Sequence, residues 1–316
     1  MFKGEIIALT VAIVWTICAI FAEIASRRLG TLCFNALRMT MSLPVLLGVL
    51  WWFMGAPYPV GADATTWLWL ALSGLVGYVF GDFCLIKSYL LIGSRHGQLL
   101  MTLAPPTAAF FSWMLLRQTM HATAIIGMLI TMFGIILAIG HNRQDGDKVQ
   151  KLPMRGILFG IGAAVGQGLG LVLSAKGLWH YEQCINSLGS TFKHGANVDI
   201  IIPFAATTIR AIVGCLGFVT LVVAKKQTVE LLHAVHDKRG FYATFAATIT
   251  GPVIGVGLSL MATLYTAVGI AQTIMSLTPV LIIVPTYLIF HQKIHWQEVV
   301  GAIISVCGVA LFFSVH

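Results

Sequence analysis

Residues 97–108 read GQLLMTLAPPTA and residues 271–282 read AQTIMSLTPVLI, so that Gln98, Met101, Leu103 and Pro105 recur as Gln272, Met275, Leu277 and Pro279. Outward from these stretches, Gly77–Ala138 aligns without a gap onto Gly251–Phe312 at an offset of 174, with 14 of 62 positions identical. Chance in sequence this apolar would give about five. The identities include Gly77 with Gly251, Gly81 with Gly255, Gln118 with Gln292, His121 with His295, Gly127 with Gly301 and Gly134 with Gly308. Apolar composition alone repeats Leu, Ile and Val; repeated glycine, proline and amide positions mark a structural repeat. The match extends backwards to pair Gly4 with Gly156 and Arg38 with Arg210, and the change of offset places an insertion of about 20 residues in the connection Trp179–Asp199.

The repeat lies in a membrane chain. Of 316 residues, 58% are hydrophobic and 9% charged, against about 25% charged in a soluble domain. A helix crossing a bilayer needs about 20 mainly apolar residues, because every amide must be satisfied without water. Ten stretches qualify: Gly4–Ala25, Phe34–Phe53, Trp67–Tyr89, Gly97–Leu116, Ala122–Gly140, Gly156–Leu178, Ile200–Ala224, Phe241–Met261, Gly269–Phe290 and Trp296–Phe313. The segment Lys225–Gly240 reads as a short amphipathic helix on the membrane surface. The fold class is therefore all-α integral membrane, with about ten transmembrane helices in two five-helix repeats, 1–140 and 156–316, joined by a loop over 141–155. Five is odd, so the second repeat enters the membrane from the opposite side and the topology is inverted.

Composition also excludes function classes. The formal charge of +8 is scattered between apolar runs and forms no stripe, which argues against a nucleic-acid partner. Cys18, Cys33, Cys84, Cys184, Cys215 and Cys307 show no C-x-x-C spacing and read as packing residues. No H-E-x-x-H, G-x-S-x-G or phosphate-cradling glycine loop is present, so neither an integral membrane enzyme nor an ATP-driven pump is favoured, and no cofactor or metal is expected. A channel or a sensor without transport are the remaining rivals; the inverted repeat favours alternating access.

The order of Gly4-x-x-x-Ala8 with Trp15, Arg38 and Arg210, Gly81-Asp82 to Ile92-Gly93, Leu103-Ala104-Pro105, Gly166-Gln167-Gly168, Leu277-Thr278-Pro279, and the glycine pairs Gly127/Gly134 and Gly301/Gly308 resembles the EamA-type family of the drug/metabolite transporter superfamily. The resemblance covers nearly the whole chain. It implies a secondary transporter of small organic metabolites, an exporter working by facilitated or proton-coupled alternating access in a bacterial inner (plasma) membrane. It also implies a cavity lined by spans one, three, four, six, eight and nine. Where family members carry a Gly-Glu pair at the end of the fourth span, this chain has Arg117-Gln118. The positive-inside rule places the arginine- and lysine-rich odd loops in the cytoplasm and the termini outside; the resemblance implies cytoplasmic termini, and the orientation stays open, as do substrate and oligomeric state.

Ionisable groups at a bilayer centre cost about 2.5–3.5 kcal/mol, so they face a cavity or a partner. Asp82 and Glu23 are the proton-coupling candidates, since desolvation raises a carboxylate's proton affinity; the plainer alternatives are that Asp82 neutralises a basic neighbour such as Arg38 and that Glu23 snorkels to headgroups. The second repeat has no such acids: Val256 stands opposite Asp82 and Ala175 opposite Glu23. Arg38 and Arg210 recur in both halves and either clamp the bundle as charge partners or hold an anionic substrate. Lys87, Gln98, Gln272, Gln167 and Trp15 are substrate-cavity candidates, with helix-end snorkelling, interhelical hydrogen bonding or core packing as their structural alternatives. Pro105 and Pro279 each remove a backbone donor in mid-span and mark a helix break beside a cavity or a packing kink.

Overall fold

The computed structural model describes residues 2–140, 153–187, 198–281 and 296–313. Among them the regular structure is helical. Helix α1 (Lys3–Leu29) closes at Gly30, whose positive φ of 75° lets its amide return to Ser26 O, and α2 (Thr31–Met54) follows at once. After Gly55, α3 (Ala64–Gly74) runs through a π-helical stretch, Leu75–Asp82, into α4 (Phe83–Leu100). A single 3₁₀ turn, Met101–Leu103, separates α4 from α5 (Ala104–Leu116), and α6 (Ala122–Gly140) ends the first half. The second half comprises α7 (Met154–Ser187), α8 (Val198–Ala224), α9 (Thr228–His236), α10 (Lys238–Thr248), a π-helical stretch Ile249–Gly255, α11 (Val256–Tyr265), α12 (Val268–Met275), α13 (Thr278–Leu281) and α14 (Trp296–Phe313).

Among the described residues, seven helical segments are long and apolar enough to cross a membrane, and Ala122–Leu137 and Val299–Phe312 are shorter apolar helices. Helices α12 and α13 fall within the ninth expected span, Gly269–Phe290; residues 282–295, Gln292 and His295 among them, lie outside the described residues. About ten spans result. The loop expected over 141–155 is outside them up to residue 152, as is the connection over 188–197. The outer surface carries large apolar side chains such as Leu68, Leu129, Phe133 and Ile303, the inverse of a soluble fold and suited to lipid tails.

Three boundaries differ from the sequence expectation. Helix α7 continues to Ser187, well into the expected polar connection, because Tyr181 and Ile185 remain buried and the Tyr181 hydroxyl donates to Val60 O at 2.7 Å. The backbone stays helical across residues 90–96, where a turn between the third and fourth spans was expected. The surface helix lies over Thr228–His236, with Val229 and Leu232 exposed.

The repeat is visible in the irregularities. The two π-helical stretches begin at Leu75 and Ile249, positions related by the sequence offset. The breaks at Met101–Leu103 and Ser276–Leu277 correspond likewise, each just ahead of the repeated proline. Asp63 and Asp237 cap α3 and α10, accepting from Thr66 N at 2.8 Å and Gly240 N at 3.3 Å. The two halves meet at a near-symmetric crossing of α6 with α14. Here Thr131 Oγ1 donates to Ser305 O at 3.4 Å and Ser305 Oγ returns to Thr131 O at 3.3 Å. A Cβ on Gly134 would come within 2.5 Å of Ser305 N and one on Gly308 within 2.5 Å of Thr131 N, so glycine is what lets these backbones touch.

Candidate functional site

Between the halves lies a cavity of about 160 Å³. It is open along the two helix breaks and the two π-helical stretches, where Gln98, Met101, Gln272, Ser276, Thr278, Asp82 and Gly251 reach its wall. This is physically consistent: a π-helical bulge displaces the i→i−4 ladder and is found at functional sites, and broken backbone in a membrane is tolerated where it lines a cavity. Local hydroxyls take up carbonyls freed at the breaks: Thr102 Oγ1 donates to Leu99 O at 2.7 Å, Ser276 Oγ to Thr273 O at 2.6 Å and Thr278 Oγ1 to Met275 O at 2.9 Å.

The charged centre is a chain of three side chains. Arg38 Nη2 on α2 donates to Asp82 Oδ2 at the end of the first π-helical stretch. Gln167 Nε2 on α7 donates to the other carboxylate oxygen, Asp82 Oδ1, at 2.6 Å. Both charged groups of the pair are buried. A carboxylate held by a guanidinium on one oxygen and an amide on the other keeps two halves of the molecule in register, since Gln167 belongs to the second repeat.

Arg210 on α8 occupies the mirrored position and has different neighbours. Val256 replaces the carboxylate, and among the described residues Arg210 makes no ion pair or hydrogen bond; its guanidinium stacks on the Tyr78 ring at 4.7 Å. The backbone framework is nevertheless symmetric. A Cβ on Gly77 would lie 3.0 Å from Arg210 Nη2, so this glycine clears space for the arginine of the other half; its counterpart Gly251 also neighbours the other half's arginine, with Arg38 Nη1 3.8 Å away, but its tight contact would be Cys18 Sγ at 2.9 Å. Gly81 faces Gln167 and Gly255 faces Trp15 in the same crossed manner.

Of the residues singled out from sequence, Trp15, Arg38, Asp82, Gln98, Gln167, Arg210 and Gln272 line the cavity. Gln98 donates its amide to the Tyr89 hydroxyl. Glu23 and Lys87 do not line it: Glu23 is paired with Arg27 on the same helix at 2.8 Å, and Lys87 is half-buried on α4. Pro105 stands in the first turn of α5, so it begins a helix after the 3₁₀ turn and does not interrupt one. The backbone of Pro279 stands likewise at the start of α13. Sequence reasoning passed over Tyr78, Cys18 and Tyr89 in the cavity wall. The signal for Tyr78 was its place one turn before Asp82. It also passed over Glu5, buried at the start of α1, which accepts from Thr266 Oγ1 at 2.8 Å and ties α1 to the α11–α12 junction.

Two further side-chain contacts to carboxylates cross between the halves at corresponding positions. Arg28 at the end of α1 makes a two-pronged contact with Asp237, 2.7 and 2.9 Å, and His180 on α7 meets Asp63 at 2.9 Å. The His180 imidazole and the Thr66 amide hold the Asp63 carboxyl well below the usual carboxylate range. The Arg28 guanidinium does the same for Asp237. Among the described residues, Asp63, His180 and Cys184 also form a group whose ligand atoms lie within 4.8 Å of one another, the chemistry a metal ion would use. None of the three lines the cavity.

Comparison with known proteins agrees with this architecture. A solved structure described as "Crystal structure of protein" superposes with a TM-score of 0.68 over 98% of this chain and 96% of its own, at 16% identity, which is a likeness of fold. An uncharacterized membrane protein of Saccharomyces cerevisiae, YMR253C, is 32% identical over 71 residues; the match covers 22% of this chain and spans 17% of the yeast protein. The EamA-like transporter family matches residues 2–140 and again residues 154–314. With both five-helix halves matched, the chain is a multi-pass membrane protein belonging to the EamA-like transporter family.

Proposed function

We propose that this chain is a secondary transporter that exports small organic metabolites by alternating access, with Asp82 as its proton-coupling group. The observation that carries the reading is the position of the Arg38–Asp82–Gln167 chain in the wall of a cavity bounded by repeat-related helix breaks. Protonation of Asp82 removes the charge that holds Arg38 and leaves Gln167 only a neutral carboxyl oxygen to donate to, which weakens a contact between the halves. The pseudo-symmetry supplies a second conformation at little extra design: exchanging the roles of the two repeats opens the same cavity to the other side. Glu23, already paired with Arg27, has a weaker claim to proton coupling. Family membership supports transport. Export and the bacterial inner membrane rest on the resemblance alone; the named relative is from yeast.

The test is flux of a labelled metabolite pool through proteoliposomes containing the full chain, compared with a variant whose cavity is filled, Ala19→Phe. Efflux from the intact chain that the filled variant loses while keeping its melting temperature is the expected outcome. Equal leakage through both would remove the cavity from the pathway, and the absence of flux from a folded intact chain across a broad pool would contradict transport.

A further inference from the structure

We infer that the cavity binds the oxyanion of its ligand, a carboxylate or phosphate on a small, largely apolar body, through Arg210 and the hydroxyl of Tyr78. This deepens the transport reading by naming the substrate class and rests on it only for the ligand's being carried. Three charged side chains line the cavity among the described residues: Arg38, Asp82 and Arg210. Arg38 and Asp82 neutralise each other. The three sum to one positive charge, and among the described residues Arg210, 4% exposed, has no ion pair of its own and an Nε without a hydrogen-bond partner. The Tyr78 hydroxyl, on a residue equally buried, also has none. A buried guanidinium that makes no ion pair of its own recovers only part of the solvation it loses, and buried orphan donors in a native structure call for a partner. Both residues face the same cavity, one stacked on the other.

The stack has a consequence for specificity. A ring face against the guanidinium contributes attraction without using any of its N–H donors. The planar fork thus stays available for a two-oxygen acceptor, which carboxylates and phosphates present and amines or alcohols do not. Much of the remaining wall is apolar, including Leu85, Ile86, Leu171 and Met275, and suits a hydrocarbon body. Arg210 is therefore not a redundant copy of Arg38. The same scaffold position is closed by an acid in one half and left open by Val256 in the other.

The experiment is equilibrium binding to the full chain in lipid nanodiscs, which needs no flux. The probes are a short-chain monocarboxylate series, the corresponding neutral amides, glycerol phosphate and inorganic phosphate. Carboxylate or phosphate is expected to bind about 10- to 100-fold more tightly than its neutral counterpart, the range for a hydrogen-bonded charge. The carboxylate and phosphate arms identify which oxyanion is preferred. Arg210→Gln should abolish that preference. Because this variant removes a buried group and could misfold, Val256→Asp is the second: it supplies the missing acid beside an intact Arg210 and should lower anion affinity by about 10-fold or more. Tyr78→Phe, nearly isosteric, should lower it by a smaller factor.

Neutral amides binding as tightly as carboxylates, or an anion preference unchanged in a folded Val256→Asp and a folded Arg210→Gln, would overturn the inference. Flux of neutral or cationic solutes with no anion bound also overturns it and leaves transport standing. Anion binding lost in these variants of a chain that shows no flux supports the site and tells against transport.

Discussion

The two halves of this molecule share a backbone and differ in their charges. Each has an arginine on its second helix, a glycine beside the arginine of the other half, a π-helical stretch and a break ahead of a proline. In the first half Asp82 closes the arginine into a pair; in the second, Val256 leaves Arg210 stacked on Tyr78. The same division recurs away from the cavity, where Arg28–Asp237 corresponds to His180–Asp63. The first of these uses a guanidinium that is always charged, the second an imidazole charged only when protonated. A symmetric scaffold is what the proposed alternation between two conformations needs. On the proposed reading, asymmetric charge gives one of them a chemical trigger and leaves the other half a place for the ligand.

The comparison can be broken most severely at Asp82. Asp82→Ala strands a buried arginine, and removing one partner of such a pair costs about 3–5 kcal/mol. Thermal unfolding in nanodiscs should fall accordingly, whereas the double change Asp82→Leu with Arg38→Met should recover most of the loss. Equal stability of the single variant and the intact chain would show that the buried pair does not stabilise the fold.

A smaller effect is expected where the halves cross. Gly134→Val forces a side chain against the Ser305 amide and the Gly301 carbonyl and should cost about 1–3 kcal/mol by overpacking. Gly48→Ala is the contrast: its Cβ would meet nothing within 4 Å, so the change should stabilise by about 0.4–1 kcal/mol. Similar outcomes for the two would deny that the α6–α14 crossing depends on backbone contact.

The smallest effect concerns the outer pairs and has a definite sign. The Asp63 carboxyl is held below its ordinary value, so its contribution is present above about pH 4 and is lost as pH falls through the depressed value. His180→Ala removes the largest cause and should flatten the fall in stability through that acid window. In the second pair, Arg28→Ala should flatten the fall due to Asp237 in the same way. Unfolding temperature against pH measures both, and unchanged acid limbs would show that neither partner holds its carboxylate.

Much of the scaffold was legible in the sequence because lipid imposes a length and a composition on every span, and because repeated Gly, Gln and Pro positions resist explanation by apolar bias. Asp82, Arg38 and Gln167 were legible for a related reason: a charge or amide in a span demands a partner. The Arg38–Asp82 pair was among the readings the sequence offered; the Gln167 contact was not, since it joins Asp82 to a helix of the other half 85 residues away. The π-helical stretches left no periodic signature, only glycines that also suit close packing. Glu23 and Lys87 look like Asp82 in composition, and only their place on the helix surface separates them from the cavity. The role of Arg210 depended on what Val256 lacks, and the contacts of an absent acid are not written in a sequence.

The most direct test of the central claim is accumulation of labelled metabolite by proteoliposomes with and without an imposed pH gradient, for the intact chain and for Asp82→Asn. Gradient-driven accumulation in the intact chain, reduced in Asp82→Asn to gradient-independent exchange, is the predicted result. Accumulation in Asp82→Asn that follows the gradient as it does in the intact chain would contradict proton coupling through Asp82.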